Sequence, residues 1–453
     1  MIQAGFYECD ITPAYGMERP ASYNKNFIKK INDPLKVSVV VVKKEDTILA
    51  FGGVDICFLG DGVVERVREA LPGVNILLTA SHTHYGGPMG MSKIPEGISA
   101  LAKQLVLEES VCGNPHYTTH LVNQTVTAIK EAMSRMEDVE LSFGKGDASG
   151  VTFNRGFKMK NGHRATHPGK CNPDIVAPFA PIDTNVGVVG FWRKSDESFL
   201  GCMVNFSCHG TCDGTGATAD WPGVMERCIQ NDLGFELPVI TIIAPQGNIN
   251  HFDVRVPGSQ TGYEEAKRIG KCYAAVVLAS LFSMKKVENT AIATASRELA
   301  APYLQLTDEE YAEAKRVYEE NKDAVMAGGR DFTSEDIARG VPFVKKFFAE
   351  RAIGCRENPI TERRIERQMM ISFGDTAAIV SLPAEPFVEI GYAIREASRF
   401  PYTMLAALGM GELGYVGMPY HYGNGGYETS PSRSLADRHV GEAMIEGAIE
   451  LLK

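Results

Sequence analysis

In the N-terminal part of the chain, hydrophobic residues fall in short unbroken or alternating runs. Residues 6–10, 35–42 and 47–55 read as strands, the last two joined as a hairpin by the Glu45-Asp46 turn. Residues 61–70 carry apolar positions at helical spacing, with Asp61 as cap and Pro72-Gly73 as stop. An apolar run from Val74 to Leu78 follows as a buried strand. A β-α-β order with a buried last strand is the signature of an α/β fold. The alternation returns downstream. Helices are predicted over 116–136, 224–232 (opened by Pro222), 264–282, 387–398 and 436–452, and strands over 139–145, 185–192, 200–206, 239–243, 367–373, 376–382 and 405–408.

Three stretches break the pattern. Residues 97–110 read as an irregular or short helical insertion. Residues 150–182 are polar and rich in Gly and Pro, and read as a long loop of the kind that is often functional, with His163 and His167 as surface histidines. Residues 307–364 turn charged and helical, with helices over 308–321, 334–339 and 344–352 and a capping-box start at Thr307-Asp308-Glu309-Glu310. This insertion reads as a solvated helical addition that could also cover a site.

Several predicted strands run directly into polar chemistry. The run ending at Leu78 continues as Thr79-Ala80-Ser81-His82-Thr83-His84-Tyr85-Gly86-Gly87-Pro88. On a strand, positions i and i+2 share a face, so His82 and His84 are expected to point to one place. Such a pair suits one metal ligand plus one proton-handling or substrate-binding group. The second strand ends at Ser207-Cys208-His209-Gly210-Thr211, and the third enters Gly247-Asn248-Ile249-Asn250-His251. A fourth delivers Pro383-Ala384-Glu385-Pro386, and 414–430 is a loop rich in Tyr and Gly. Two imidazoles, a carboxylate and an open position form the ligand set of a catalytic zinc site. Glu385 could equally be a helix N-terminal carboxylate facing the helix dipole. The expectation is an α/β fold of mixed sheets with flanking helices, a metal site at strand C-terminal ends, and a helical insertion in the second half.

Composition narrows the picture. The chain has 453 residues, 44% hydrophobic and 23% charged, with a net charge of -10. No basic excess exists to neutralise phosphates, so nucleic acid is not the expected partner. No apolar stretch reaches the ~18–20 residues that span a bilayer, so no integral membrane segment is expected. The N-terminus lacks the basic and apolar regions of a secretory signal. Ten cysteines occur without a Cys-x-x-Cys pattern. They read as reduced thiols of a cytoplasmic protein. The expected partner is a small-molecule substrate. The oligomeric state, a homo-oligomer included, is left open.

The ordered motifs carry a resemblance. Ser81-His82-Thr83-His84-Tyr85-Gly86-Gly87-Pro88 resembles the Thr/Ser-His-Thr-His-Ser-Gly-Pro motif of the neutral/alkaline (non-lysosomal) ceramidase family. Asp10-Ile11-Thr12-Pro13, Val54-Asp55-Ile56, Asn154-Arg155, Cys208-His209-Gly210-Thr211, Pro383-Ala384-Glu385-Pro386-Phe387, Tyr415 and Gly426-Tyr427-Glu428 follow in the family's order. The chain thus looks like a divergent, bacterial-type member comprising the catalytic domain. The resemblance implies zinc held by His82, His209, Glu385 and Tyr415, with His84, Arg155 and Tyr427 around the scissile bond. It implies hydrolysis of an N-acyl bond by zinc-activated water, in an amidohydrolase-type reaction on C–N bonds.

The sequence also departs from that family. Asn250 stands where the family has its active-site serine, which directs the expectation to a smaller or more polar amide or ester than ceramide, touched by Asn250 or His251. One catalytic domain over residues 1–453 is expected, without the family's C-terminal immunoglobulin-like domain. Two alternatives stay open: a metal-dependent lyase or deglycosidase on a carbohydrate-like substrate, and a member that binds a ligand without turnover.

Overall fold

The structure is a computed structural model. It describes residues 1–19, 26–60, 62–89, 113–233, 237–326, 333–359, 364–431, 433–434 and 436–453. The expected insertion over 97–110 and the expected cap Asp61 lie outside the described residues.

The first half of the chain runs β1 (Gln3–Asp10), β2 (Lys36–Lys44), β3 (Thr47–Val54), α1 (Val63–Ala70), β4 (Asn75–Ala80), α2 (Pro115–Ser134) and β5 (Glu137–Asp147). Then come β6 (Phe153–Asn154), β7 (Gly156–Met159), β8 (Arg164–Thr166), β9 (Ile175–Pro178), β10 (Asn185–Arg193), β11 (Phe199–Phe206), α3 (Asp220–Leu233), β12 (Val239–Ile243), β13 (Ile249–Asn250) and α4 (Tyr263–Leu281). The second half adds β14 (Lys285–Lys286), β15 (Ile292–Ala301), α5 (Asp308–Asn321), α6 (Ser334–Arg339), α7 (Pro342–Glu357), β16 (Arg364–Phe373), β17 (Ala377–Leu382), β18 (Glu385–Pro386), α8 (Val388–Ala397), β19 (Tyr402–Ala407), β20 (Tyr415–Val416) and α9 (Val440–Leu451).

The larger sheet has the order β12-β11-β10-β5-β1-β2-β3-β4, with β14 added on β5, and the smaller is β15-β16-β17-β19. Both mix parallel and antiparallel pairs, as the α/β reading expected. Within these sheets the parallel pairs are β3/β4, β11/β12 and β17/β19. A parallel pair needs a crossover, and here α1, α3 and α8 supply it. Three βαβ units therefore aim strand carboxyl ends at loops that bear polar chemistry.

Packing brings the units together. Val37 and Val39 to Val42 in β2 are fully buried on both faces, which requires cover on both sides of the sheet. Helix α2 lies against β1 and β2 on one side. On the other, Phe51 stacks on Phe373 of the smaller sheet with centroids 6.4 Å apart, and β12 lies against β2, β3 and β4. Buried Asn205 stitches the sheets: its Nδ2 donates to the carbonyls of Ile242 and Leu405, each at 2.9 Å, and its Oδ1 accepts from Leu405 N at 3.3 Å.

Two expectations need correction. Residues 150–182 are not a featureless loop. β7 pairs with β8 and β9 in a small sheet, and β6 pairs with β13. These strands are so short that their apolar alternation is lost among Gly, Pro and charged residues. The ten-residue strand β15 was not foreseen; most of its positions are exposed or half-exposed, so it carries little of the apolar signal that reveals buried strands. The helical insertion is present, and Thr307 opens α5 with a capping box to Glu310.

Candidate metal centre and active site

Three of the four candidate ligands leave the carboxyl end of a strand, each in a different βαβ unit. His82 follows β4, His209 follows β11, and Glu385 begins β18 just beyond β17. Glu385 pairs directly with Tyr415 of β20, which sets those two side chains next to each other. The strand rule does not explain how His82 and His84 converge. β4 stops at Ala80, and His82 has φ 61, a left-handed conformation that a non-glycine residue holds only when its surroundings enforce it. The neighbouring loop does so. Thr83 bridges Gly210, and His84 N donates to the Gly210 carbonyl at 3.0 Å. A Cβ at Gly210 would lie 2.7 Å from the His82 carbonyl oxygen, so only glycine lets the two histidine-bearing loops cross.

The donor atoms meet at one point. His82 Nε2 lies 3.0 Å and His209 Nε2 3.1 Å from Glu385 Oε2. Tyr415 Oη is 3.3 Å from His209 Nε2, and His84 Nε2 is 3.3 Å from His82 Nε2. The other ring nitrogens decide the chemistry. His82 Nδ1 is 2.8 Å from the Cys57 carbonyl oxygen, and His209 Nδ1 is 2.9 Å from that of Ile249. A carbonyl only accepts, so both Nδ1 atoms carry a proton and each Nε2 of a neutral ring is a bare lone pair. Lone pairs and a carboxylate crowded at 3.0–3.3 Å demand positive charge between them. Zinc bonds of about 2.0–2.1 Å at tetrahedral angles give ligand–ligand edges of about 3.3 Å. The donor set therefore fits a zinc-like cation, with the Nδ1 contacts orienting the imidazoles as partners of metal-bound histidines do.

The electrostatics show the same pull for positive charge at the centre, which a proton on His82 also answers. Burial pulls the His82 imidazolium down, but Glu385 outweighs it and holds its pKa well above the ordinary value. Burial, then the Arg155 charge, takes His209 down to about 3, and burial with His82 and His209 takes His84 well below its ordinary value. Burial raises Glu385, yet His82 and His209 together hold it well below the carboxylate range.

Around this centre lies a buried charge network. Arg155 Nε is 2.8 Å from Glu428 Oε1, Nη2 donates to the Gly247 carbonyl at 2.6 Å, and the guanidinium carbon sits 5.2 Å from the Tyr415 ring centre. Glu428 is fully buried and also takes Arg164 Nη2 and Thr166 Oγ1, both at 2.7 Å. The Tyr427 ring lies 5.9 Å from that of Tyr415 and 6.0 Å from Phe348 of α7, so the helical insertion borders the site. Asn250 Oδ1 accepts from Phe252 N at 3.0 Å, and its Nδ2 faces His167 Nε2 at 2.9 Å. His251 is wholly buried, with Nε2 donating to the Gln260 carbonyl at 2.8 Å.

Sequence reasoning missed three groups here. The sequence marks Glu428 only as part of a motif, although a buried carboxylate between two arginines organises the site. His167 was read as a surface residue. It is half-buried beside Asn250 and near enough to Arg155 for that charge to depress its pKa, with burial the larger cause, to about 3. Cys57 Sγ stands 3.9 Å from His82 Nδ1. Nothing in local spacing signals these contacts, because each partner comes from a distant segment. His163 is exposed, as read.

Parallel βαβ units with polar groups at their carboxyl ends define the class as an α/β fold of mixed sheets whose open ends form a site. No protein-family model and no curated protein matches the sequence. Four solved chains share the fold, two of them in ceramidase structures. One is the neutral ceramidase from Pseudomonas aeruginosa, with a TM-score of 0.70 at 16% identity over 100% of this chain and 74% of that one. The other is described as "Ceramidase complexed with C2", with a TM-score of 0.69 at 16% identity and the same coverage. The resemblance read from the motifs thus holds as a likeness of fold across the chain.

Proposed function

We propose that this protein is a zinc-dependent hydrolase of amide (N-acyl) or ester bonds, with a substrate smaller or more polar than ceramide. One observation carries the reading: two imidazoles, locked by Nδ1 contacts to backbone carbonyls, turn their Nε2 lone pairs on Glu385 at 3.0 and 3.1 Å. His82, His209, Glu385 and Tyr415 would hold the ion. Bound there, zinc supplies Lewis-acid activation of water and of a carbonyl. His84, neutral and beside His82, accepts or returns a proton at Nε2. Tyr427 donates its phenolic proton to the developing oxyanion. Arg155, held by the Glu428 carboxylate that it shares with Arg164, orients Tyr415 and lends positive charge rather than binding an anionic substrate group. The Asn250 amide in place of the family serine, together with His167, supports a polar substrate.

The likeness to ceramidase structures supports hydrolysis of this type, and the ligands' origin in all three βαβ units supports reading the chain as one catalytic unit. Nine described cysteines are free. That suits a reducing, cytoplasmic setting. Among the described residues no helix is long and apolar enough to cross a membrane.

The test is metal content by elemental mass spectrometry, alongside turnover of short N-acyl and ester substrates, for the wild type and His82→Ala/Glu385→Ala. About one zinc per chain, lost with activity in the variant, is the expected result. A wild type that hydrolyses these substrates equally well after complete removal of metal would overturn the reading.

A further inference from the structure

A second site suggests itself at the opposite end of β4 from His82. The edge strands β4 and β15 flank a cleft of about 120 Å³, lined by Arg68, Asn75, Thr294, Ser296 and Arg367 over a floor that includes Ile76 and Met369. Arg68 comes from the last turn of α1 and Arg367 from β16, so two separate elements turn guanidinium groups on one space. Both side chains are half-buried. Arg367 Nη1 donates to Ser296 Oγ at 3.3 Å, which leaves the serine proton free to donate. Glu65 lies one turn before Arg68 in α1 and Glu298 stands cross-strand from Arg367, so the cleft carries its two guanidinium groups beside carboxylates on its rim. Burial and then Arg367 lower the Arg68 pKa, against a smaller raising effect of Glu65.

We propose that this cleft binds a phosphate group, free or carried as a monoester. Two guanidinium forks match the geometry and charge of a phosphate dianion better than any neutral ligand. Ser296 and Thr294 add hydroxyl donors. The volume is well below the roughly 300–1,000 Å³ of sites that enclose a whole drug-sized ligand. The cleft therefore grips the phosphoryl group and leaves any attached body outside.

Isothermal titration of the full chain at low ionic strength tests this, with inorganic phosphate in one arm and glycerol 3-phosphate in the other. The expected result is one saturable site per chain, weakened at least tenfold by Arg68→Gln and by Arg367→Gln. Tighter binding of the monoester would identify a larger phosphorylated molecule as the source, and equal or tighter binding of phosphate the free ion. Both variants should keep or raise the melting temperature, since each relieves a repulsion, so loss of binding is not loss of fold. Binding elsewhere, at the candidate metal centre for example, keeps its affinity in both variants, and that result overturns the proposal. So does the absence of saturable binding in either arm.

Discussion

The His209 Nδ1 atom lies 2.9 Å from the carbonyl oxygen of Ile249, at the start of the strand that carries Asn250. One hydrogen bond thus couples the orientation of a candidate ligand to the loop that faces the substrate side. The arrangement leads to four measurable consequences.

His84 should separate metal binding from proton handling. Its Nε2 is 3.3 Å from His82 Nε2, close enough to share the centre, yet the proposed ligand set is complete without it. His84→Ala is expected to keep about one zinc per chain while turnover falls by about 10²–10⁴, the usual contribution of a positioned acid–base group. Loss of metal in that variant would make His84 a ligand instead.

Glu428 should be the most sensitive buried position near the site. It pairs with both Arg155 and Arg164 without access to water. Glu428→Gln leaves two buried cations without their shared carboxylate. Breaking a buried pair of this kind costs about 3–5 kcal/mol. Denaturant unfolding at neutral pH measures the loss, and a change within experimental error would mean that water compensates the arginines.

Gly210→Ala should damage the centre without touching a ligand. The added methyl would sit 2.7 Å from the His82 carbonyl oxygen, so one of the two loops must move. A stability loss of about 1–3 kcal/mol is expected from such overpacking, with weaker metal retention on dialysis against a chelator. Wild-type retention would show that the crossing has slack.

His251 should act as an acid-sensitive point in the fold. Burial takes its pKa down to about 4, against the raising effects of the Gln260 carbonyl and Glu265. The unfolded value is about 6.5, so the unfolded chain binds the proton more readily. Its contribution is therefore present above pH ~6.5 and is lost as pH falls through about 4, amounting to about 3 kcal/mol in all. Unfolding midpoints of wild type and His251→Gln, compared at neutral pH and near pH 4, should show a smaller acid loss in the variant. Parallel losses would place the acid sensitivity elsewhere.

Much of the fold was legible in sequence because it rests on local physics. Unbroken apolar runs such as 39–42 suit strands buried on both faces, and the helices between parallel strands show their apolar spacing, although α1 opens at Gly62 with no side-chain cap bond. The failures were equally physical. β15 hides because most of its side chains see solvent, and β6 to β9 are too short for a period to emerge.

What the sequence determined by itself was the alternation of strands and helices and the supply of His, Glu and Tyr at strand ends, because both follow from residue type and near-neighbour spacing. The tertiary structure alone decided which of those groups meet. His209 and Glu385 are 176 residues apart in the chain and 3.1 Å apart in space, and no local rule fixes that distance. It also decided which nitrogen of each imidazole is free, since the backbone carbonyls of Cys57 and Ile249 claim the other. The left-handed turn at His82 belongs to the same category: its own side chain disfavours it, and the crossing with Gly210 holds it in place.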